Sequence, residues 1–132
     1  MQKKLPGLQV IDITANTSEH INLIESFCIN DNNKMSITIK KVKYETSVLI
    51  DQDKIVELKT KEELNTIKLD GVDIIIYGSN EQDSYESFSL FASNRAILAE
   101  AMHLRSAIHT YNVLVQDGRN IVLLLDLNQC LF

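Results

Sequence analysis

The sequence predicts an α+β fold: a mainly antiparallel sheet with two to three helices packed on it, one of them long and Ala/Leu-rich and followed by a C-terminal β-hairpin. Three observations lead there. Short apolar runs alternate with period two, as in Met35, Ile37, Ile39 and again in Val42, Tyr44, Thr46, Val48, Ile50. The stretch "VDIIIYG" ending at Gly78 is apolar on both faces, as a strand buried on both sides must be. From Asn94 the run "NRAILAEAMHLRSAIHTY" has the alanine and leucine density of a helix.

The elements follow in order. "LQVIDIT" (Leu8 to Thr14) alternates and is rich in β-branched residues, so it reads as a strand. Asn16 or Thr17, with Glu19 beyond, supplies capping chemistry for a helix from Ser18 to Ile29. At 100° per residue, Ile21, Leu23, Ile24, Phe27 and Cys28 share one arc, which predicts a buried, inert Cys28. "NDNNK" ends that helix. A meander from Met35 to Thr60 comes next. Its apolar phase shifts from odd to even positions, which a regular strand cannot do, so a turn or bulge is required near Lys40 to Lys43. Asp51 to Lys54 is the next turn, and Thr60 with Glu63 forms a capping box for a short helix.

After the buried strand, "SYESFSLFA" fits either a strand or a helix, and the alternation of Phe88 and Leu90 with serine neighbours favours the strand. Ser93 or Asn94 caps the long helix. Asp117-Gly118, between the apolar runs of "NVLVQDGRNIVLLLDL", predicts the closing hairpin. There is neither repeat nor linker. Residues 1–7 read as a flexible N-terminus and residues 8–132 as a single domain.

Composition supports one core. The chain has 132 residues, of which 45% are hydrophobic, enough to fold without disulfides or a metal. Cys28 and Cys130 stand far apart and lack CxxC or Cys/His spacing, so both are expected as free thiols, with Cys130 the more accessible. The sequence has neither a signal-peptide pattern nor an apolar run long enough to span a bilayer, which predicts a soluble cytoplasmic protein without a membrane partner. The net charge of -5 is lopsided: residues 1–68 carry ten lysines against ten carboxylates, residues 69–132 three arginines against eight. That field disfavours nucleic acid as a partner.

Catalytic and cofactor chemistry are not expected. The glycines Gly7, Gly71, Gly78 and Gly118 stand singly, so a phosphate loop is missing and a cofactor is not predicted. His103 and His109 lie six residues apart, about 120° around a helix, and cannot share a metal. His20 is a boundary residue. Cys28 lacks a basic neighbour to lower its pKa, and the serines lack a nucleophile-elbow setting. The pairs Glu62–Glu63 and Asp51–Asp53 are explained by capping and turns.

The least bland stretch is Asp70 to Glu86, with five carboxylates (Asp70, Asp73, Glu81, Asp83, Glu86) and no lysine, arginine or histidine. Calcium-loop spacing is missing. A one-sign field interleaved with Tyr77, Tyr85 and Phe88 suits a docking surface, and Glu81, Asp83, Tyr85 and Glu86 are the candidate partner-binding residues. On the long helix Leu98 and Met102 fall outside the core arc among Arg95, Arg105 and His109; they are the candidate contact of a homodimer.

The segment Ile21 to Lys59, a helix followed by a hairpin closing on "VLIDQDKIVELK", resembles the PATAN-type interaction modules of bacterial signalling proteins over under a third of the chain. Asp53 replaces the turn glycine of that pattern, and no functional expectation rests on it.

The leading expectation is therefore a non-enzymatic protein-binding protein, an adaptor, chaperone or inhibitor of immunity type, whose acidic surface meets a basic partner. One alternative is a small-molecule-sensing or enzyme domain with an anion pocket between sheet and long helix, served by Arg95 or Arg105. Another is a structural subunit of a larger assembly.

Overall fold

The computed structural model describes residues 21–132. The expected strand Leu8 to Thr14, the expected flexible N-terminus (residues 1–7), the start of the first helix and His20 lie outside the described residues. Eight strands and three helices follow in the described part. They are β1 (Ser26–Ile29), β2 (Met35–Ile39), β3 (Val42–Tyr44), β4 (Ser47–Ile50), β5 (Ile55–Leu58), α1 (Lys61–Asn65), β6 (Ile74–Gly78), α2 (Ser84–Asn94), β7 (Ala99–Met102), α3 (Leu104–Gln116) and β8 (Ile121–Leu125). The α+β class holds.

Strands β1-β2-β3 form an antiparallel sheet, and β5-β4-β8-β6-β7 a mixed one. In the larger sheet β4 is antiparallel to β5 and β8, whereas β6 is parallel to both β7 and β8. The two parallel crossovers run in opposite directions across the sheet, so a common right-handed sense puts their helices on opposite faces. One core accordingly joins Val48, Ile50, Ile76, Leu123 and Leu125 to α3 and the small sheet. The other joins Leu49, Ile75, Tyr77, Val122 and Leu124 to α1 and α2. Successive residues of β4, β6 and β8 alternate between the two cores, which is why these strands are apolar throughout.

Several expectations survive intact. The phase slip is a two-residue hairpin turn: Lys40 and Lys41 both have positive φ, 50° and 69°, the geometry that matches strand twist. Their amides donate to the Glu25 carboxylate at 2.9 and 3.3 Å. At the Asp51 turn, Oδ1 accepts from the amides of Asp53 and Lys54, both at 2.8 Å. The Thr60–Glu63 capping box is complete.

Four elements differ. The helix expected to reach Ile29 is not there: residues 22–25 are irregular and Ser26–Ile29 is β1, paired with β2 through an Asn30-centred turn. β2 supplies a pairing partner, and Asn112 fixes the approach by bonding both the amide and the carbonyl of Ile24 at 3.0 Å. Cys28 is consequently exposed rather than buried, and the helix-then-hairpin outline shared with PATAN-type modules is lost.

The segment read as a strand at Phe88 and Leu90 is helix α2. Its buried residues Ser84, Phe88, Phe91 and Ala92 follow a helical period, and Leu90 is left 61% exposed.

The long helix is two elements. Ala96 takes φ 55°, Ala99–Met102 becomes the outer strand β7, and α3 starts after His103, whose Nδ1 accepts from the Arg105 amide at 3.4 Å. Alanine's helix propensity is overridden by the free edge of β6.

Only the second arm of the C-terminal hairpin is a strand, β8. Asn112 to Gln116 form the last turns of α3, and Gly118, at φ 82°, ends that helix in the left-handed conformation. Asp-Gly serves a helix end as well as a hairpin turn.

Candidate functional site

The carboxyl ends of the parallel strands β6 and β8 open on one edge of the large sheet, where ligands of such sheets commonly sit. Asp126 directly follows β8, and its amide donates to the Gly78 carbonyl at 2.9 Å. The β4–β8 register, carried one residue further, brings Ser47 opposite it. The Asp126 side chain is fully buried, and four donors converge on it. Oδ2 accepts from the Tyr77 hydroxyl at 2.7 Å; Oδ1 accepts from Ser47 Oγ at 3.0 Å and from the amides of Cys130 at 3.0 Å and Leu131 at 3.3 Å. A buried carboxylate is tolerated because four donors replace its hydration.

Tyr77 is held from the other side. Its ring stacks on Phe88 at 4.7 Å and meets Phe132 edge-on at 5.4 Å. Its oxygen also lies 2.9 Å from Ser84 Oγ, which donates to the Glu81 carbonyl at 2.6 Å. Burial pushes the Tyr77 phenol far above its ordinary value; the Ser84 hydroxyl opposes this, and the Asp126 carboxylate adds to it. The group therefore works as a fixed donor. With its lone pairs spent on Tyr77, Ser47 and the backbone, Asp126 anchors the segment after β8.

In front of this network is a cleft of about 330 Å³ lined by Glu81, Asp83, Ser84, Asp126, Gln129 and Phe132. Glu81 and Asp83 are exposed at its rim. Asp83 sits at the N-cap of α2 and makes no side-chain cap bond there. Phe132 also lines a second cleft, of about 350 Å³, with Lys59, Lys61 and Cys130. The Cys130 thiol donates to the Lys59 carbonyl at 3.3 Å.

Of the sequence candidates, Glu81 and Asp83 come together at the cleft. Glu86 is exposed on the first turn of α2. Tyr85 is half-buried, its hydroxyl donating to the Ser79 carbonyl at 3.0 Å and its ring edge-on to Tyr77, so it braces the loop. Leu98 and Met102 do not share a helix face: they bracket β7, with Leu98 67% exposed. Arg95 lies over the Phe91 ring at 3.9 Å and donates to Asn65 Oδ1, while Arg105 lies 5.0 Å over Phe27. Among the described residues no group of three or more His, Cys, Asp or Glu side chains could hold a metal ion. Asp126, Ser47 and Phe132 went unrecognised in the sequence; an aspartate ending the run "IVLLL" was the available signal.

These features define a domain built on a mixed five-stranded sheet with helices on both faces and a polar edge at the ends of its parallel strands. A solution structure of a Bordetella pertussis protein, described as a Mth938-like domain, is similar at a TM-score of 0.54 and 15% identity, over 81% of this chain and 86% of that one. A Xanthomonas campestris protein gives 0.58 at 19% identity, covering 77% and 85%. A Bartonella henselae protein described as an outer membrane protein gives 0.59 at 14%, covering 81% and 95%. At such identities these likenesses establish the fold. The chain itself belongs to the family described as protein of unknown function (DUF498/DUF598), which matches residues 29–125. Comparison with curated proteins gives no match. No helix among the described residues is long and apolar enough to cross a membrane.

Proposed function

We propose that the protein is a non-catalytic binding module, of adaptor, chaperone or inhibitor type, that receives a basic segment of a partner protein at the cleft rimmed by Glu81 and Asp83. The observation that carries this reading is the composition of the cleft: two exposed carboxylates, Glu81 and Asp83, over the buried Asp126, beside one aromatic wall, Phe132, whose ring centroid lies 5.7 Å from Lys61 Nζ; among the described residues no cation lines the cleft itself. A lysine or arginine side chain entering it would find Glu81 and Asp83 for charge and Phe132 for its aliphatic stem or guanidinium face. Glu86, nearby in sequence on the first turn of α2, would add to the field that steers encounter. The floor is preorganised by Asp126 and Tyr77, so little ordering remains to be done on binding.

The cytoplasm belongs to the same proposal. Both cysteines are exposed and unpaired, a state that a reducing compartment maintains. The test is the association rate with a lysine- and arginine-rich peptide before and after neutralising Glu81, Asp83 and Glu86.

A further inference from the structure

Strand β7 is the outer strand of the large sheet and, among the described residues, pairs only with β6. The Ile75 amide donates to the Leu98 carbonyl at 2.9 Å and the Ser79 amide to the Met102 carbonyl at 3.2 Å. The even-numbered residues thus spend their backbone groups on β6, and the N–H and C=O of Ala99 and Ala101 point away from the sheet. Edges are usually defended by charged side chains, above all lysine, by proline, by a bulge or by shortness. β7 is short, four residues reading AEAM, and its one charge is Glu100; it has neither lysine, proline nor a bulge, and its two alanines add little bulk beside the outward amides. Leu98, Glu100 and Met102 alternate on one face as an apolar, acidic, apolar row. Leu98 and Glu100 are exposed, Met102 is half-buried, and among the described residues Glu100 makes no salt bridge, the one ion pair being Lys43–Glu45.

We propose that the β7 edge accepts an added antiparallel strand from a partner protein, with a lysine or arginine opposite Glu100 and apolar residues two positions to either side, opposite Leu98 and Met102. Residues facing each other across an antiparallel pair lie on the same side of the sheet, so this register joins the outward groups of Ala99 and Ala101 to the incoming strand. It also satisfies the whole side-chain row.

A second copy of this chain fits less well. A two-fold axis at Glu100 sets Leu98 against Met102 of the other copy, but it opposes the two Glu100 carboxylates in chains that each carry a net charge of -5. Moving the axis to Ala101 removes that clash and pairs Ala99 with His103, whose carbonyl already accepts the Ala107 amide at 2.9 Å. Charge complementarity therefore selects a basic strand. This surface is separate from the acidic cleft and does not depend on it.

The test is fluorescence anisotropy of a labelled ten-residue peptide with a central Leu-Thr-Arg-Thr-Leu sequence, titrated with the full chain. Ala101→Pro removes one outward amide at an edge position that tolerates proline, so it should weaken binding at least about tenfold with the melting temperature little changed. Glu100→Arg should weaken binding of this peptide similarly and favour its Arg→Glu counterpart. The proposal is overturned if the native chain does not bind the peptide, or if binding ignores Ala101→Pro or the charge exchange. Light scattering that reveals a native dimer dissociated by Ala101→Pro would give the edge to a second copy. Slow hydrogen exchange at Ala99 and Ala101 in the peptide-free monomer would mean the chain covers its own edge.

Discussion

Replacing Asp126 isolates what holds the cleft together. In Asp126→Ala four donors lose their acceptor. Two are hydroxyls that can turn elsewhere: Tyr77 has Ser84 Oγ at 2.9 Å, and Ser47 can rotate about its Cβ–Oγ bond. The other two are backbone amides with no such freedom. The contact at Leu131 is buried and that at Cys130 partly so, which lets water reach the second. At about 1 to 3 kcal/mol for each stranded donor, weighted down at Cys130 and offset by not having to bury a carboxylate, the net loss is about 2 to 4 kcal/mol. Asp126→Asn keeps one oxygen for Ser47 and the two amides and forfeits mainly the charge-assisted bond from Tyr77, so it should cost about 1 to 2 kcal/mol. Urea unfolding measures both, with the difference read from the midpoint at unchanged slope. Exchange of the Leu131 amide should accelerate in the alanine variant alone. An alanine variant within about 0.5 kcal/mol of the parent, or an asparagine variant as costly as alanine, would refute the reasoning.

Two further predictions concern the core. A methyl group added at Gly78 would meet Ala107 Cβ at 2.7 Å and Leu125 Cδ2 at 2.9 Å; Gly78→Ala should cost about 1 to 3 kcal/mol in calorimetry, and adding Ala107→Gly should recover part of that loss. Burial holds the phenols of Tyr77 and Tyr111 well above their ordinary value, at Tyr111 with help from the charges of Asp51 and Asp53. Because the folded pKa is raised, the stability they contribute is fully present below the unfolded value of about 10 and lost as pH rises beyond it. Unfolding free energies measured from pH 8 to 12 should therefore be flat at first and fall above about 10, less steeply in Tyr111→Phe.

What the sequence made legible is local. The capping box at Thr60, the Asp51 turn and the forced turn at Lys40–Lys41 each depend on a few adjacent residues whose chemistry has one good solution. What it hid is settled at long range. Ala99–Met102 has the composition of a helix and becomes a strand because β6 offers an edge; Ser26–Ile29 becomes a strand because β2 lies alongside. Asp117-Gly118 satisfies a helix terminus as readily as a hairpin, and nothing within the dipeptide decides between them. At the cleft, the exposed carboxylates Glu81 and Asp83 stood out by composition. Their floor did not, because Tyr77 and Asp126 are 49 residues apart and Ser47 and Asp126 are 79 apart, and only the β4-β8-β6 order makes them neighbours.

The proposal that the carboxylates at and beside the cleft draw in a basic partner rests on Glu81 and Asp83 at the rim and Glu86 on the first turn of α2. Its most direct test is stopped-flow association of a ten-residue lysine- and arginine-rich peptide, free of strand-forming alternation, with the native chain and with the Glu81→Gln, Asp83→Asn, Glu86→Gln variant across a salt series. Long-range charge acts mainly on encounter, so the variant should associate about tenfold more slowly at low salt, with a flatter dependence on ionic strength and a dissociation rate that changes less. Equal association rates for the two proteins at low salt, with equal salt dependence, would rule out a steering role for these three carboxylates.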